Sequence, residues 1–330
     1  MKTKLVNRRS PKRHSQKKSY RTCNWHEYNA ALVRRGSLTV WLDDAAREGW
    51  LNQERSGQRG ASLTYSDAAV TAALLLKVVY QLPLRATQGL LGSVLELLQV
   101  ALPVPHYSTL CRRQAVLQVV LSCRTPGEAL HLVVDSTGCK VYGEGEWKVR
   151  QHGWSKRRTW RKLHVGVDEA TGEIVAATLS TNNVSDGEVL PELLDQVPEP
   201  LCQVSADGSY DQRKCYQVLQ ERQDAQGQLL RVTIPPRQGA RIWRHGNSAQ
   251  ERLPRDQNLR HMRKMGRQQW KQQSGYHRRS IVETAVSRYK RLLGEKLRAR
   301  DLKRQAREAF IGCKALNKMT ALGMSQSYAV

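Results

Sequence analysis

The sequence lacks most of what builds a thiol, imidazole or nucleotide site. Its seven cysteines are odd in number, scattered from Cys23 to Cys313, and form no C-x-x-C pair. That excludes a disulfide framework or zinc ribbon and suits a reduced compartment. Nine histidines are dispersed without an H-E-x-x-H or any pair at zinc spacing. No G-x-x-x-x-G-K-[ST] loop is present, and "GEGEW" at 143–147 lacks the strand–loop–helix setting of a phosphate cradle, so it reads as a plain loop. The longest apolar stretch, "AAVTAALLL" at 68–76, is too short to span a bilayer. The opening "MKTKLVNRRSPKRHSQKKSYR" has no apolar segment of the secretory kind. A cytoplasmic protein with no membrane partner is the expectation.

Acid is also scarce. Lys and Arg number 54 against 29 Asp and Glu, a formal net charge of +25. Such an excess repels itself unless a polyanion is bound, which places nucleic acid first among partners and the nucleoid first among locations. The charge is clustered. Residues 1–21 hold nine Lys or Arg and no acid, and Arg237 to Arg300 hold eighteen basic residues against four acidic ones. "GWSKRRTWRK" at 153–162 sets Lys156, Arg157 and Arg158 between Trp154 and Trp160. Cations interleaved with aromatics suit a DNA strand, with Trp160 stacking on a base; packing of the tryptophans beside a hairpin is the alternative.

The pattern divides the chain. Residues 1–24 read as a disordered basic arm. Residues 25–128 read as helical, with Ser66 as an N-cap and "PHYSTLCRRQAVLQVVL" as a third helix after the "LPVP" break. These helices suit a helix-turn-helix-like DNA-binding region or an ordinary bundle equally. From 129 to 300 the period changes. "LHLVVDST", then "KLHVGVDEATGEIVAATLS" as a hairpin, then alternating helices and strands predict an α/β (α+β) domain with a mixed sheet flanked by helices. Residues 301–330 read as one amphipathic helix packing on that domain, followed by frayed last residues.

Three acids stand out. Asp135 in "VVDST" and Asp207 in "VSADGS" end or nearly end buried strands, where a lone carboxylate loses hydration. Either could simply cap the next turn. Glu283 lies in "YHRRSIVETAVSRYKRLLGEK" at 276–296, read as one helix whose apolar stripe faces the core. On a regular helix Tyr276, Arg279, Glu283 and Lys290 share an arc of roughly 60° beside that stripe. Arg279 and Glu283 have the spacing of an ordinary helix ion pair, whereas Lys290 lies too far along the axis to join it. Three carboxylates from separate elements can seat two Mg²⁺ ions, with Mn²⁺ as a substitute, to clamp the oxygens of a phosphodiester.

Tyr276-x2-Arg279-x3-Glu283-x6-Lys290 is similar to the YREK signature of bacterial insertion-sequence transposases of the DDE class. "VVDSTG" and "SADGSYD" resemble their two Asp motifs, and "TNNVSDGEVLPELLDQV" resembles the stretch between them. "YNAALVRRGSLTVWLDDAA" at 28–46 looks like the start of the IS-five family. The resemblance spans roughly residues 20 to 320. It implies an RNase H-like catalytic domain with Asp135, Asp207 and Glu283 as the metal-binding catalytic triad. It further implies Tyr276, Arg279 and Lys290 organising the site and DNA, with Asn182 and Asp186 as secondary positions. The implied partner is double-stranded DNA, both the element's terminal inverted repeats and the target, handled by at least a homodimer. A metal-dependent nuclease of the same fold that never joins strands, and a non-catalytic DNA-binding protein, are the alternatives.

Overall fold

A computed structural model describes residues 19–53, 63–121, 129–141, 160–222, 230–244 and 253–330. Lys156, Arg157, Arg158 and Trp154 lie outside the described residues, as do the "GEGEW" loop and most of the basic arm.

The site is carried by a mixed sheet. Its strands are β2 (Leu130–Val141), β3 (Trp160–Asp168), β4 (Ile174–Thr181), β5 (Leu201–Ala206) and β6 (Arg231–Thr233), in the order β4-β3-β2-β5-β6. The first three form an antiparallel meander, while β5 and β6 run parallel to β2. Gly172, at φ +71°, turns the β3–β4 hairpin. Parallel strands need crossovers, supplied by α7 (Asp186–Asp195) before β5 and α8 (Arg213–Gln220) before β6. Both helices cover one face, burying Leu190, Leu193, Tyr216 and Leu219 against Leu132, Val134 and Val204.

The opposite face meets α11 (Ser280–Leu293) and α12 (Leu302–Leu322). Here the core does not stop at the sheet. The N-terminal helices, α1 (Trp25–Arg34), α2 (Leu38–Trp41), α3 (Asp44–Glu48), α4 (Asp67–Val79), α5 (Leu84–Leu97) and α6 (Tyr107–Val116), precede β2. One apolar cluster joins Leu74 and Leu76 of α4, Val133 and Val165 of the sheet, Val282 and Tyr289 of α11, and Ile311 and Leu316 of α12. The C-terminal helix is thus shared between the helical region and the sheet. Its Glu308 bonds the ammonium of Lys77 on α4 at 3.2 Å, and both groups are buried.

Local signals explain much of this. Ser66 caps α4 by accepting from the Ala69 amide at 3.1 Å. α4 and α5 meet at 111° across Gln81, itself at φ +54°, within the range of helix-turn-helix pairs.

Several expectations give way. The third helix stops at Val116, because Leu117 turns extended and buries its side chain in the core. The basic stretch after β6 forms two helices, α9 (Pro254–Met265) and α10 (Arg267–Gln273). The opening turn of the 276–296 segment is a 3₁₀ turn, Tyr276–Arg279, started by Gly275 at φ +70°. The arc that a regular α-helix would give Tyr276 therefore does not apply. Gly294, at φ +89°, ends α11 and lets β7 (Lys296–Leu297) pair parallel with the far end of β2. The supposedly disordered residues 20–22 and the supposedly frayed last residues form a ribbon: β1 (Tyr20–Thr22) pairs antiparallel with β8 (Ser327–Ala329). The Asn24 side chain closes it, donating to Met324 O at 2.9 Å and accepting from Gln326 N at 2.7 Å. Among the described residues no single helix is long and apolar enough to cross a membrane.

Candidate active site

Strand register sets the first two acids side by side. Val134 pairs with Ala206 across β2 and β5, so Asp135 and Asp207 are the next residues of two neighbouring parallel strands. Val134 and Ala206 face α7 and α8. By alternation, Asp135 and Asp207 face the other way, toward α11. Asp207 also caps the 3₁₀ turn Gly208–Tyr210: its Oδ1 accepts from the Ser209 amide at 2.8 Å and from the Ser209 hydroxyl. The turn-capping role open to a strand-end Asp is thus real for one of its oxygens.

Arg279 links the acids. Its Nη1 donates to Asp135 Oδ2 at 3.0 Å, and its Nη2 donates to Glu283 Oε1. The ion pair open to Glu283 at i,i+4 spacing is therefore formed, and the same guanidinium bridges to the strand carboxylate. Burial lifts the Asp135 carboxyl above its ordinary pKa, and the charge of Asp207 lifts it further; the Ser136 amide and Arg279 pull it back. Burial works against the charge of Arg279, but Tyr276, Asp135, Glu283 and Asp207 outweigh it and hold the guanidinium protonated. Tyr276 lies against Trp270, ring centroids 5.8 Å apart, with Lys271 Nζ 5.3 Å and Arg279 Cζ 5.8 Å from its ring. Burial raises the Tyr276 phenol, and Asp207 adds to the shift.

Asp135 and Glu283 open onto a cleft of about 660 Å³ that also takes in Lys290 and Arg291. Of the residues singled out in the sequence, Asp135, Glu283 and Lys290 therefore share one surface; Arg279 joins it through its bonds to Asp135 and Glu283, Tyr276 through its ring against Arg279, and Asp207 through its charge alone. Asn182 is exposed in the turn after β4 and has no bond to this group. Trp160 is half-buried at the start of β3, its ring against Gly138 and 5.6 Å from Lys140 Nζ. That is the packed alternative rather than a free stacking platform.

Asp186 belongs to a second polar group on the opposite face of the sheet. Its Oδ1 accepts from the Ser136 hydroxyl at 3.1 Å and from Lys162 Nζ at 3.3 Å. His164, fully buried beside it, bonds Ser180 at 2.8 Å through Nε2, while its Nδ1 stays 3.8 Å from Asp186, beyond hydrogen-bond reach. Burial pushes the His164 pKa down to about 4. Tyr210 is buried nearby, its hydroxyl unpaired, and burial together with Asp186, Asp135 and Asp207 raises its pKa strongly. Sequence reading passed over Ser136, Lys162, His164 and Tyr210. The available signal was two polar residues, Lys162 and His164, alternating on one face of an otherwise apolar strand.

The Asp207 end of β5 is locked from the side of α9. Arg237 donates to Gly208 O and Ser209 O, both at 3.1 Å, and its amide donates to Asp211 Oδ2 at 2.9 Å. The same Asp211 accepts from buried Arg255 Nε at 2.7 Å, and the Arg255 guanidinium stacks on Trp243 at 3.6 Å. Asp256 receives the amides of Trp243 and Arg244 at 3.0 and 2.8 Å.

Comparison with known proteins adds the class. Residues 126–318, more than half of the chain, match the family model described as "Transposase DDE domain", and residues 33–144 match a second model of the same description. The chain belongs to the transposase DDE domain family. A solved structure, "Cryo-EM structure of piggyBac transposase synaptic complex with hairpin DNA", is similar at 12% identity and a TM-score of 0.36, covering 87% of this chain and 75% of that one.

The family is divalent-metal dependent, and the residues present fit such an ion in part. Asp135 and Asp207 offer oxygen donors only, the chemistry of a hard cation. Glu283 does not converge with them: among the described residues no three His, Cys, Asp or Glu side chains are close enough to hold one ion. The Arg279 guanidinium holds Glu283 in its own ion pair.

Proposed function

We propose that the protein is the transposase of a bacterial insertion sequence of the IS-five type, with an RNase H-like catalytic domain and Asp135, Asp207 and Glu283 as its triad. The observation that carries this is the placement of Asp135 and Asp207 at matching positions of adjacent parallel strands, with Glu283 and Lys290 on the cleft that Asp135 opens into. The strand order β4-β3-β2-β5-β6, a meander extended by parallel strands, supports the RNase H-like assignment.

Asp135 and Asp207 would hold Mg²⁺, and Glu283 would complete the set on leaving Arg279. The bound ions, two in this reading, supply activation of water and charge neutralisation on the leaving oxygen of a phosphodiester. Released from Glu283, the Nη2 of Arg279 would be left to bond the phosphate while Nη1 keeps Asp135, and Lys290 on the cleft offers a second positive contact. Tyr276, wedged against Trp270, fixes where Arg279 can reach. Cleavage at an element end exposes a 3′-hydroxyl, which then attacks target DNA. Joining two ends calls for two protomers, and the helices up to residue 128 with the basic arm are the region assigned to the terminal inverted repeats.

The test is cleavage of end DNA in Mg²⁺ by Asp135→Asn, Asp207→Asn and Glu283→Gln. Each should lose strand cleavage and keep DNA binding. Full cleavage by any one removes that residue from the triad, and cleavage without joining by the wild type leaves a nuclease instead.

A further inference from the structure

The catalytic cleft does not end at α11. At Gly294 and Glu295, which line it, the surface passes into a larger groove of about 1090 Å³. One wall is the α4–α5 turn with α6; the other is the segment from Lys296 to Arg304. The floor is apolar where Leu82, Pro83, Leu84 and Leu293 meet. The rim is cationic: along Lys296–Arg300 exposure alternates, with Lys296, Arg298 and Arg300 outward and Leu297 buried.

This rim is built, not loose. The backbone amides of Arg298 and Ala299 both donate to Glu308 Oε2, at 3.1 and 2.8 Å, and Glu308 is itself anchored by buried Lys77. Arg298 is turned back onto Gln81 O, and Glu295 is neutralised by Lys140. Among the described residues, the exposed side chains of Lys296 and Arg300 have no hydrogen bond or salt bridge, although the segment that carries them is fixed.

We propose that this groove takes a single strand of DNA running out of the catalytic cleft, with phosphates on Lys296 and Arg300 and unpaired bases over the Leu82–Leu84 floor. A duplex keeps its bases from the floor and is held too far out to seat phosphates on both rim cations, so the apolar lining selects the unpaired strand. The proposal rests on the DNA-processing reading above and adds where the strand goes.

The experiment measures binding of a labelled oligonucleotide of arbitrary sequence, single-stranded or duplex, to the full chain in metal-free buffer. Losing two phosphate contacts to a single strand should flatten the plot of log affinity against log salt by about 1.4, roughly a 25-fold loss at 0.1 M salt. Lys296→Ala/Arg300→Ala should show this loss on the single strand and less than about half of it on the duplex. Equal losses on both, or none on the single strand, overturn the proposal. Amine labelling of the wild type gives a second reading that needs no variant: the oligonucleotide should shield Lys296, and undiminished labelling also overturns it. A protein that binds this way yet never cuts DNA would keep the groove and sink the transposase reading; one that cuts with its salt slope unmoved would do the reverse.

Discussion

Removing Arg279 should cost stability in a way that depends on the charge of Asp135. The Arg279 and Asp135 side chains are 17% and 22% exposed, so their contact is a largely desolvated, charge-assisted bond of about 1.5–3 kcal/mol. The arm to Glu283, 55% exposed, adds only about 0.3–0.5 kcal/mol. Arg279→Ala should therefore destabilise by about 2–3 kcal/mol at neutral pH. The sign with pH follows from the direction of the shift. The folded Asp135 pKa is raised above its unfolded value, so its ionisation opposes folding, and that cost grows as pH rises through the window above about 3.8 up to the folded pKa. Arg279 offsets part of the cost. Without it the folded pKa moves further up, so the loss should be largest at neutral pH and shrink at acid pH, where Asp135 is protonated. Asp135→Asn should remove the cost outright and stabilise the protein by about 0.5–2 kcal/mol while abolishing cleavage, the usual trade at an active site. Urea unfolding of the wild type, both single variants and the double variant, at neutral and mildly acid pH, closes the cycle. If Arg279→Ala costs the same with Asn at 135 as with Asp, the guanidinium does not act through this carboxylate and the account is wrong.

Two further outcomes follow from the buried polar groups. Arg255→Ala should cost about 3–5 kcal/mol, because it leaves the buried Asp211 carboxylate without its counter-charge, with the Arg237 amide still donating to it, the two side chains being 3% and 2% exposed. Chemical denaturation measures this, and a cost below about 1 kcal/mol would show the pair to be solvated. His164 should stay neutral on mild acidification, its ring NMR signals unmoved until pH nears about 4. Its depressed pKa means that stability present above about 6.5 is lost as pH falls toward 4, and His164→Asn should flatten that loss. A ring titrating near its ordinary value would show that water reaches it.

The features legible in the sequence are those with a local period or a local cost. The apolar runs ending in Asp135 and Asp207 marked two strands because a carboxylate there is expensive, and the hairpin announced itself through Gly172. The stripe of α11 located its dry face. The linkage through Arg279 was legible only as an i,i+4 spacing; its second arm, to Asp135, spans 144 residues and has no local sign. The 3₁₀ turn at Tyr276 was hidden because an i+3 spacing fits both helix types. α9 escaped notice because only Leu259 among its apolar residues is buried; the helix is held by the bonds of Arg255 and Asp256 instead. The division into a helical region and a catalytic domain came from a change in period, which cannot reveal that α12 fills the core of both.

That shared helix bears on how the chain is made. Residues 302–322 emerge from the ribosome after the helices and sheet they cover, yet Leu74 and Leu76 of α4 need them for cover. The ribbon closes later still, since Tyr20 waits for Ala329. A nascent chain must therefore carry the exposed face of α4 through most of its synthesis. A copy of the gene interrupted before residue 302 would encode neither a catalyst nor a stable fragment of the helical region. Helix α12 thus acts as a checkpoint: only a chain that includes it acquires the shared core.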